Sequence, residues 1–93
     1  MTDNNIVEGR ARVRNRLGLH ARPAAEFVKL AARFESEVQL SKEGLAVNGK
    51  SIMGVLMLAA ERGSELVIRG EGRDAAEAVE ALRIFVEQGF KET

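Results

Sequence analysis

The chain has 93 residues, of which 45% are hydrophobic and 30% charged, and its 14 basic and 14 acidic residues give a formal net charge of +0 at pH 7. This length suits one domain over residues 1–93, with its core at about 6–92, and a zero net charge provides no basic field that would attract nucleic acid. With no cysteine, one histidine, no basic leader and no apolar run near the ~20 residues of a membrane span, we expect a cytoplasmic protein without disulfides, metal or membrane insertion.

The first predicted element is a β-strand in which Val7, Ala11 and Val13 alternate with charged residues. A period of two is typical of a strand with one buried face and one solvent-exposed face. Four arginines fall on the outward side: Arg10, Arg12, Arg14 and Arg16. They form either a basic stripe for an acidic partner or the solvated face of an antiparallel sheet that is covered on one side only, and we favour the second interpretation.

The second predicted element is a helix that begins beside the only proline and the only histidine of the chain, Pro23 and His20. Proline fits the first turn of a helix, because the N–H groups there have no intrahelical partner to lose. Apolar residues at helical spacing continue this helix to about Phe34. His20 is therefore expected at or just before the helix N-terminus.

This position gives the imidazole of His20 a chemical context. The positive end of the helix dipole disfavours imidazolium and attracts anions, so we expect a neutral, nucleophilic ring near pH 7. A phosphoryl group on the ring would face the helix N–H groups and the guanidinium of Arg22. The structural alternative is a capping or solvated histidine without chemistry, which is the more common role of a lone histidine near a helix start.

Residues 37–49 are predicted to form a β-hairpin whose turn lies at Glu43-Gly44. Ser51 then opens a short apolar helix that runs from Ile52 to about Ala60. The hydroxyl of Ser51 is expected to cap that helix.

The short helix is too apolar to bury every side. Its predicted core-facing residues are Val55, Leu58 and Ala59. Those predicted to lie toward solvent, near Ala21 and Ala25, are Ile52, Met53 and Leu56. An exposed apolar patch beside an anion site indicates a docking surface, and the alternative is burial of these residues under the last helix.

A fourth strand through residues 66–68 is followed by the longest amphipathic helix. Asp74 and Glu77 have the spacing of a capping box at its start, and it is predicted to end near Gly89, with Phe90 folding back onto the core. The order β-α-β-β-α-β-α predicts an α/β fold of the α+β kind, in which the helices pack on one face of an antiparallel sheet. The pattern alone fits a ferredoxin-like two-layer module with an extra or displaced helix.

Two nucleotide-binding motifs occur in the sequence, and neither fits its surroundings. Residues 44–51 match the P-loop pattern, but Leu45 and Val47 alternate as in a strand where the phosphate loop should lie. Residues 70–75 match G-x-G-x-x-A between a strand and a helix, but no further strand with an acidic residue follows that helix. We therefore expect no nucleotide cofactor.

Two segments carry a family resemblance. The first is Leu17-Gly18-Leu19-His20-Ala21-Arg22-Pro23-Ala24, and the second is Asn48-Gly49-Lys50-Ser51-Ile52-Met53-Gly54-Val55-Leu56-Met57-Leu58-Ala59. They resemble the active-site signature and the second signature of HPr, the histidine-containing phosphocarrier of the bacterial phosphoenolpyruvate-dependent phosphotransferase system. The resemblance covers about Ile6 to Glu92, and it implies an open-faced β-sandwich with a four-stranded antiparallel sheet and three helices on one face.

The resemblance implies a phosphocarrier function centred on His20. An upstream enzyme charged by phosphoenolpyruvate would pass its phosphoryl group to one ring nitrogen of His20, and downstream acceptor domains would receive it. Arg22 would supply counter-charge and orientation, while the backbone N–H groups of Ala21 and Arg22 would hold the phosphoryl oxygens. Such a protein forms a phosphohistidine intermediate in a relay, with no independent turnover and no cofactor.

The resemblance also implies partner surfaces and a regulatory site. HPr proteins present one region to the upstream enzyme and to the acceptors, and its residues here are Ala21, Ala25, Ile52, Met53 and Leu56. In many bacteria a dedicated ATP-dependent kinase phosphorylates the serine at the place of Ser51, which turns down the carrier. A serine kinase and its phosphatase are therefore expected partners, and the chain is expected to be a small monomer.

Leu17 departs from the family pattern, because many sugar-branch members carry Asn or another polar residue at this place. Any side-chain hydrogen bond from that residue is absent here, which favours a nitrogen-branch or regulatory member. The alternative from another class is a non-catalytic HPr-like interaction module, which would bind a regulator through Ile52, Met53 and Leu56.

Overall fold

Four antiparallel strands form one sheet in the computed structural model, which describes residues 5–92. The strands are β1 (Ile6–Arg12), β2 (Glu37–Lys42), β3 (Leu45–Asn48) and β4 (Glu65–Glu71). Their spatial order is β1-β4-β2-β3, so β4 lies between β1 and β2 and pairs with both. The first and third strands of the sequence form the two edges.

Three helices cover one face of this sheet: α1 (Ala21–Ala31), α2 (Ile52–Met57) and α3 (Ala75–Glu87). Alternate strand residues such as Leu40, Leu66 and Ile68 are fully buried, and they share one core with Phe27 of α1 and Leu82 of α3. The residues between them on each strand are exposed or half-buried. This period of two, with one covered face, confirms the predicted α+β open-faced β-sandwich.

The β2–β3 hairpin has the predicted two-residue turn. Lys42 pairs with Leu45, and Glu43 and Gly44 between them have φ angles of 50° and 88°. Two successive positive φ angles are typical of the type I′ turn, whose twist matches that of the flanking strands.

The first two helices end earlier than the sequence predicts. The first ends at Ala31 rather than near Phe34, in a turn where Phe34 N–H donates to the carbonyl of Ala31. The second ends at Met57 rather than Ala60, because Ala59 takes a φ of 48°, which no right-handed helix can continue.

Lys42 of β2 helps to end α2. Its ammonium donates to the carbonyls of Leu58 and Ala59 at 3.3 Å each, and these carbonyls lack a partner within the helix. The sequence prediction that Ala59 faces the core is wrong, since that residue is exposed, whereas Val55 and Leu58 are buried as predicted.

The predicted capping box at the start of α3 is wrong. Asp74 occupies the N-cap position, but its side chain makes no cap hydrogen bond. Its carboxylate instead accepts from the backbone N–H groups of Glu35 and Ser36, at 2.9 Å each, and from the Ser36 hydroxyl. The Ser36 hydroxyl and then the Glu35 N–H hold the pKa of Asp74 below its usual value. The side chain therefore ties the α1–β2 connection to the start of α3.

The chain folds back after α3, as predicted. Phe90 lies in a short 3₁₀ turn, Gly89–Lys91, and is only 4% exposed. Its ring packs edge-to-face on Phe85, with 5.6 Å between the ring centroids. This contact directs the residues after Phe90 toward the start of α1.

The outward arginines near β1 meet carboxylates. Arg10 pairs with Glu65 at 3.2 Å, and Arg14 pairs with Glu87 at 2.8 Å. Glu87 also accepts from the backbone N–H of Arg12, and this hydrogen bond and that from Arg14 hold the pKa of Glu87 below its usual value. Because glutamates offset much of this charge, the arrangement favours a solvated sheet face over a basic stripe for a partner.

Candidate functional site at the start of α1

The segment before α1 is held in place by a close backbone approach. Leu19 N–H donates to the carbonyl of Ala60 at 2.9 Å. Gly18 has a φ of 71°, and a Cβ added there would lie 2.5 Å from the same Ala60 oxygen. Only glycine fits this approach without strain, so Gly18 fixes where the next residues begin the helix.

His20 occupies the N-cap position of α1. Its backbone is extended, with φ −85° and ψ −171°, and its carbonyl accepts from Ala24 N–H at 3.0 Å. Its side chain makes no hydrogen bond to the helix N–H groups. Pro23 is buried as the third helical residue, so it contributes no donor. The N–H groups of Ala21 and Arg22 have no backbone acceptor within the described chain, and they point out of the positive end of α1.

The imidazole of His20 contacts a carboxylate from the other end of the chain. Its Nε2 lies 2.8 Å from Oε2 of Glu92, and the histidine side chain is 36% exposed. An ionised carboxylate is only an acceptor, so a neutral ring in this contact carries its proton on Nε2 and its lone pair on Nδ1.

Asn15 holds the second oxygen of that carboxylate. Its Nδ2 donates to Glu92 Oε1 and to the carbonyl of Gly18, at 2.7 Å each. Asn15 is buried, and its Oδ1 has no partner among residues 5–92. The sequence analysis did not predict a role for Asn15 or Glu92. His20 and Glu92 lie 72 positions apart in the sequence, and no local pattern encodes such a contact.

The histidine opens into a cavity of about 830 Å³ beside the start of α1. Its lining includes Arg16, Arg22 and Lys91 as cations and Glu26 and Glu92 as anions. Arg22 is exposed and forms no ion pair in the part of the chain that the structure describes. The cavity is thus open to solvent and holds a guanidinium that is free to meet an anion.

An apolar surface is exposed on the neighbouring helix α2, which packs against α1. Ile52 is exposed, and Met53 and Met57 are 73% and 68% exposed. Leu56 was predicted to lie toward solvent as well, but it is half-buried and packs against the core. On α1, Ala21 is exposed and Ala25 is half-buried.

Two exposed residues of this region were not predicted. Met57 is the last residue of α2, and Leu17 lies in the turn before His20, where it is 68% exposed. Leu17 therefore adds apolar surface at the place where many relatives were expected to present a polar group.

Ser51 caps α2 as predicted. Its Oγ accepts from Gly54 N–H at 3.1 Å, and the residue is half-exposed. The preceding Lys50 donates from Nζ to the carbonyl of Phe34 at 2.7 Å. Residues 45–48 form β3, so the strand predicted through Leu45 and Val47 is confirmed at the place where a P-loop would have its phosphate loop.

In residues 5–92, no helix is both long and apolar enough to cross a membrane. No group of three or more potential metal ligands comes together in the same range.

Comparisons with known proteins show which family this chain resembles in sequence and fold. The family described as "PTS HPr component phosphorylation site" matches residues 7–88. Phosphocarrier protein HPr of Treponema pallidum is 47% identical, over 94% of this chain and 99% of that protein. The crystal structure of HPr from Bacillus anthracis str. Ames superposes with a TM-score of 0.85 and 48% identity, over 89% of this chain and 99% of that one.

A regulatory relative is similar as well. Crh, described as a catabolite repression protein of Bacillus subtilis, is 46% identical over 89% of this chain and 95% of that chain, with a TM-score of 0.73, and its crystal structure is a domain-swapped dimer. The family match over most of the sequence, the identities and the shared fold all indicate the same family. The chain therefore belongs to the HPr family, whose members work with other proteins of the bacterial phosphotransferase relay.

Proposed function

We propose that this chain is a phosphocarrier. The phosphohistidine of an upstream enzyme, charged by phosphoenolpyruvate, transfers its phosphoryl group to His20, and a downstream acceptor domain then takes it. One observation carries the proposal: the His20 ring is partly exposed at the start of α1, and Glu92 occupies its Nε2 while no contact occupies Nδ1 within the described residues. The acceptor atom is therefore Nδ1, because it holds the lone pair.

The start of α1 supplies the groups that receive the phosphoryl oxygens. The N–H groups of Ala21 and Arg22 donate to them. The guanidinium of Arg22, which pairs with no carboxylate within residues 5–92, provides charge-assisted hydrogen bonds. The His20 side chain is partly exposed, so a phosphoryl group on its ring stays accessible to solvent and to an acceptor. The site therefore does not stabilise the phosphorylated form so strongly that onward transfer stalls.

The apolar surface beside the site receives the partner proteins. Its residues are Ala21, Ala25, Ile52 and Met53, with the half-buried Leu56 at its base, and the exposed side chains of Leu17 and Met57 extend the proposed surface. Flexible methionine side chains adapt to different partners, which suits a carrier that meets one donor and several acceptors. The same surface would serve a regulatory interaction module, the alternative function, and the exposed methionines are the observation in its favour.

Ser51 is the proposed regulatory site for a serine kinase and its phosphatase. Ser51 is half-exposed and lies two residues before Met53 in the sequence, and a phosphate on its hydroxyl retains oxygens that can accept from Gly54 N–H. Modification would thus add negative charge to the docking surface without unfolding α2. Mass spectrometry of protein from growing cells tests this, and absence of an acid-stable phosphate on Ser51 under every carbon and nitrogen regime contradicts it.

We propose that the chain works in the cytoplasm as a monomer and is a nitrogen-branch or regulatory member of the family. Leu17 supports this assignment, because it is an exposed apolar residue at a place where many sugar-branch members carry a polar one. Size-exclusion chromatography with light scattering tests the monomer, and a stable dimer, as in the Crh crystal, would contradict it.

The carrier function is tested by incubating the protein with a competent upstream enzyme and labelled phosphoenolpyruvate. We expect an acid-labile label on the wild type, none on His20→Ala, and an unchanged label on Glu77→Gln, an exposed control on α3. A wild type that takes no label would contradict the carrier and leave the interaction module.

A further inference from the structure

We propose that Glu92 is a positioning residue for His20. Its carboxylate accepts the Nε2 proton, which keeps the lone pair on Nδ1, and it offsets the positive charge that the ring gains when Nδ1 is phosphorylated. This inference rests on the proposed phosphoryl transfer to His20 and names a second group that acts in it.

The contact is held from both sides. Glu92 Oε2 lies 2.8 Å from His20 Nε2, while Oε1 accepts from Asn15 Nδ2 at 2.7 Å. Asn15 is buried and also bound to the Gly18 carbonyl, so it is a fixed donor. The Glu92 side chain is itself only 19% exposed. Fixed donors on one oxygen orient the other oxygen toward the imidazole.

The turn before Glu92, residues Gly89–Lys91, positions its side chain for this contact. Gly89, Phe90 and Lys91 have successive φ angles of 69°, 56° and 57°, a left-handed turn that residues with side chains adopt only at a cost. Burial of Phe90 against Phe85 compensates, and Glu92 N–H donates to the Gly89 carbonyl at 3.0 Å. The turn therefore presents the carboxylate at a defined place beside α1.

The transfer balances with the proton kept on Nε2. The Nδ1 lone pair attacks phosphorus, the Nδ1–P bond forms, and the donor's N–P bond breaks with its electron pair returning to the donor nitrogen. The ring of His20 then carries a proton on Nε2 and phosphorus on Nδ1, so it is cationic, and the Glu92 carboxylate lies against it. When the phosphoryl group moves to the acceptor, the electron pair of the Nδ1–P bond returns to Nδ1. The carboxylate of a Ser-His-Asp triad has the same two roles, fixing a tautomer and stabilising an imidazolium.

Other charged groups surround the ring without contacting it. Arg16, Arg22 and Lys91 line the same cavity as cations, and Glu26 lines it as an anion, paired with Lys29 on α1. In the described part of the chain, only Glu92 reaches a ring nitrogen. Glu26→Gln is therefore the matched control, since it removes one carboxylate charge from the cavity and leaves the ring contact intact.

Two substitutions of Glu92 test the proposal, because they are expected to change the tautomer of the ring to different extents. In Glu92→Ala the ring loses its acceptor and becomes a mixture of tautomers. In Glu92→Gln the amide oxygen accepts from Asn15, so the amide NH₂ faces His20 Nε2 and favours the proton on Nδ1, the wrong tautomer. ¹⁵N NMR of the ring at about pH 8.5, above the ordinary histidine value of about 6.5, reads these tautomers directly without any transfer.

The transfer rate from the phosphorylated upstream enzyme is the second readout. We expect a loss of about tenfold in Glu92→Ala, a larger loss in Glu92→Gln, and a change within about twofold in Glu26→Gln. Equal tautomers and equal rates in Glu92→Gln and the wild type would overturn the role of Glu92 alone. A wild type with the Nε2–H tautomer that is never phosphorylated would instead overturn the carrier function, so the two failures are distinguishable.

Discussion

The starts of α1 and α2 are built in opposite ways. At α2 the N-cap residue, Ser51, turns its own hydroxyl to Gly54 N–H and satisfies the helix. At α1 the N-cap residue, His20, turns its ring away to Glu92 and leaves the N–H groups of Ala21 and Arg22 without a protein partner in the described range. A satisfied helix start is structural, whereas an open one beside a nucleophile is available to an anion.

The largest expected effect concerns the backbone that places the open start. Gly18→Ala puts a Cβ at 2.5 Å from the Ala60 oxygen at a positive φ, and we expect it to lower the free energy of unfolding by about 3 kcal/mol and to displace His20. The matched control is Gly44→Ala, which has φ +88° but no atom within 4 Å of the added Cβ. It should cost only about 1 kcal/mol. Equal losses in urea unfolding would show that the close approach at Gly18 contributes nothing.

Removing the guanidinium of Arg22 tests the anion site directly. We expect Arg22→Ala to slow phosphoryl transfer to His20 about tenfold, because one charge-assisted contact to the phosphoryl oxygens is lost. Arg22→Lys should recover part of the rate, since an ammonium keeps the charge without the bidentate geometry. Arg33→Ala, an exposed arginine beyond the end of α1, is the control. A transfer rate in Arg22→Ala equal to that of Arg33→Ala would remove Arg22 from the site.

Removing the cap of α2 and adding one to α1 tests the difference between the two helix starts. Ser51→Ala should lower the free energy of unfolding by about 1 kcal/mol, because the Gly54 N–H loses its acceptor. At α1 we expect His20→Ser to be more stable than His20→Ala by about 1 kcal/mol, because serine supplies the cap that histidine does not. Thermal unfolding of the four proteins decides this. If His20→Ala and His20→Ser unfold alike, the start of α1 is not open in solution.

The smallest effect concerns the start of α3, where Asp74 serves another segment. Its pKa is lowered from 3.8, chiefly by the Ser36 hydroxyl, so the folded chain releases this proton more readily than the unfolded chain. Its contribution to stability is therefore complete above the ordinary carboxyl range and is lost as the pH falls through the lowered value. Asp74→Asn should flatten the loss of stability below about pH 4. Urea unfolding of the wild type and of this variant across this range measures the effect, and identical slopes would contradict the assignment.

Local patterns carried most of the fold. Four features were predicted because each depends on neighbours within a few residues. They are the alternation in β1, the proline in the first turn of α1, the Glu43-Gly44 turn and the Ser51 cap. The ends of α1 and α2 were predicted too far along the chain, because apolar spacing continues past the residues where the backbone turns. At the end of α2 that turn depends on Ala59 and on Lys42 of strand β2.

Long-range contacts explain what sequence reasoning missed at the site. His20 and Arg22 could be recognised from one short segment, but Glu92 reaches His20 only because Phe90 is buried and the last turn is left-handed. Asp74 was expected to cap its own helix, and its carboxylate instead serves Glu35 and Ser36 across the fold. In both cases the carboxylate contacts a residue more than 35 positions away along the chain.

The most direct test of the central claim is the position of the phosphorus on the His20 ring. Phosphorylation of ¹⁵N-labelled protein by the upstream enzyme, followed by measurement of ³¹P–¹⁵N couplings, identifies the nitrogen that carries it. We predict a one-bond coupling to Nδ1 of His20, with the proton retained on Nε2 beside Glu92. Phosphorus on Nε2, or no phosphohistidine at all, would contradict the account.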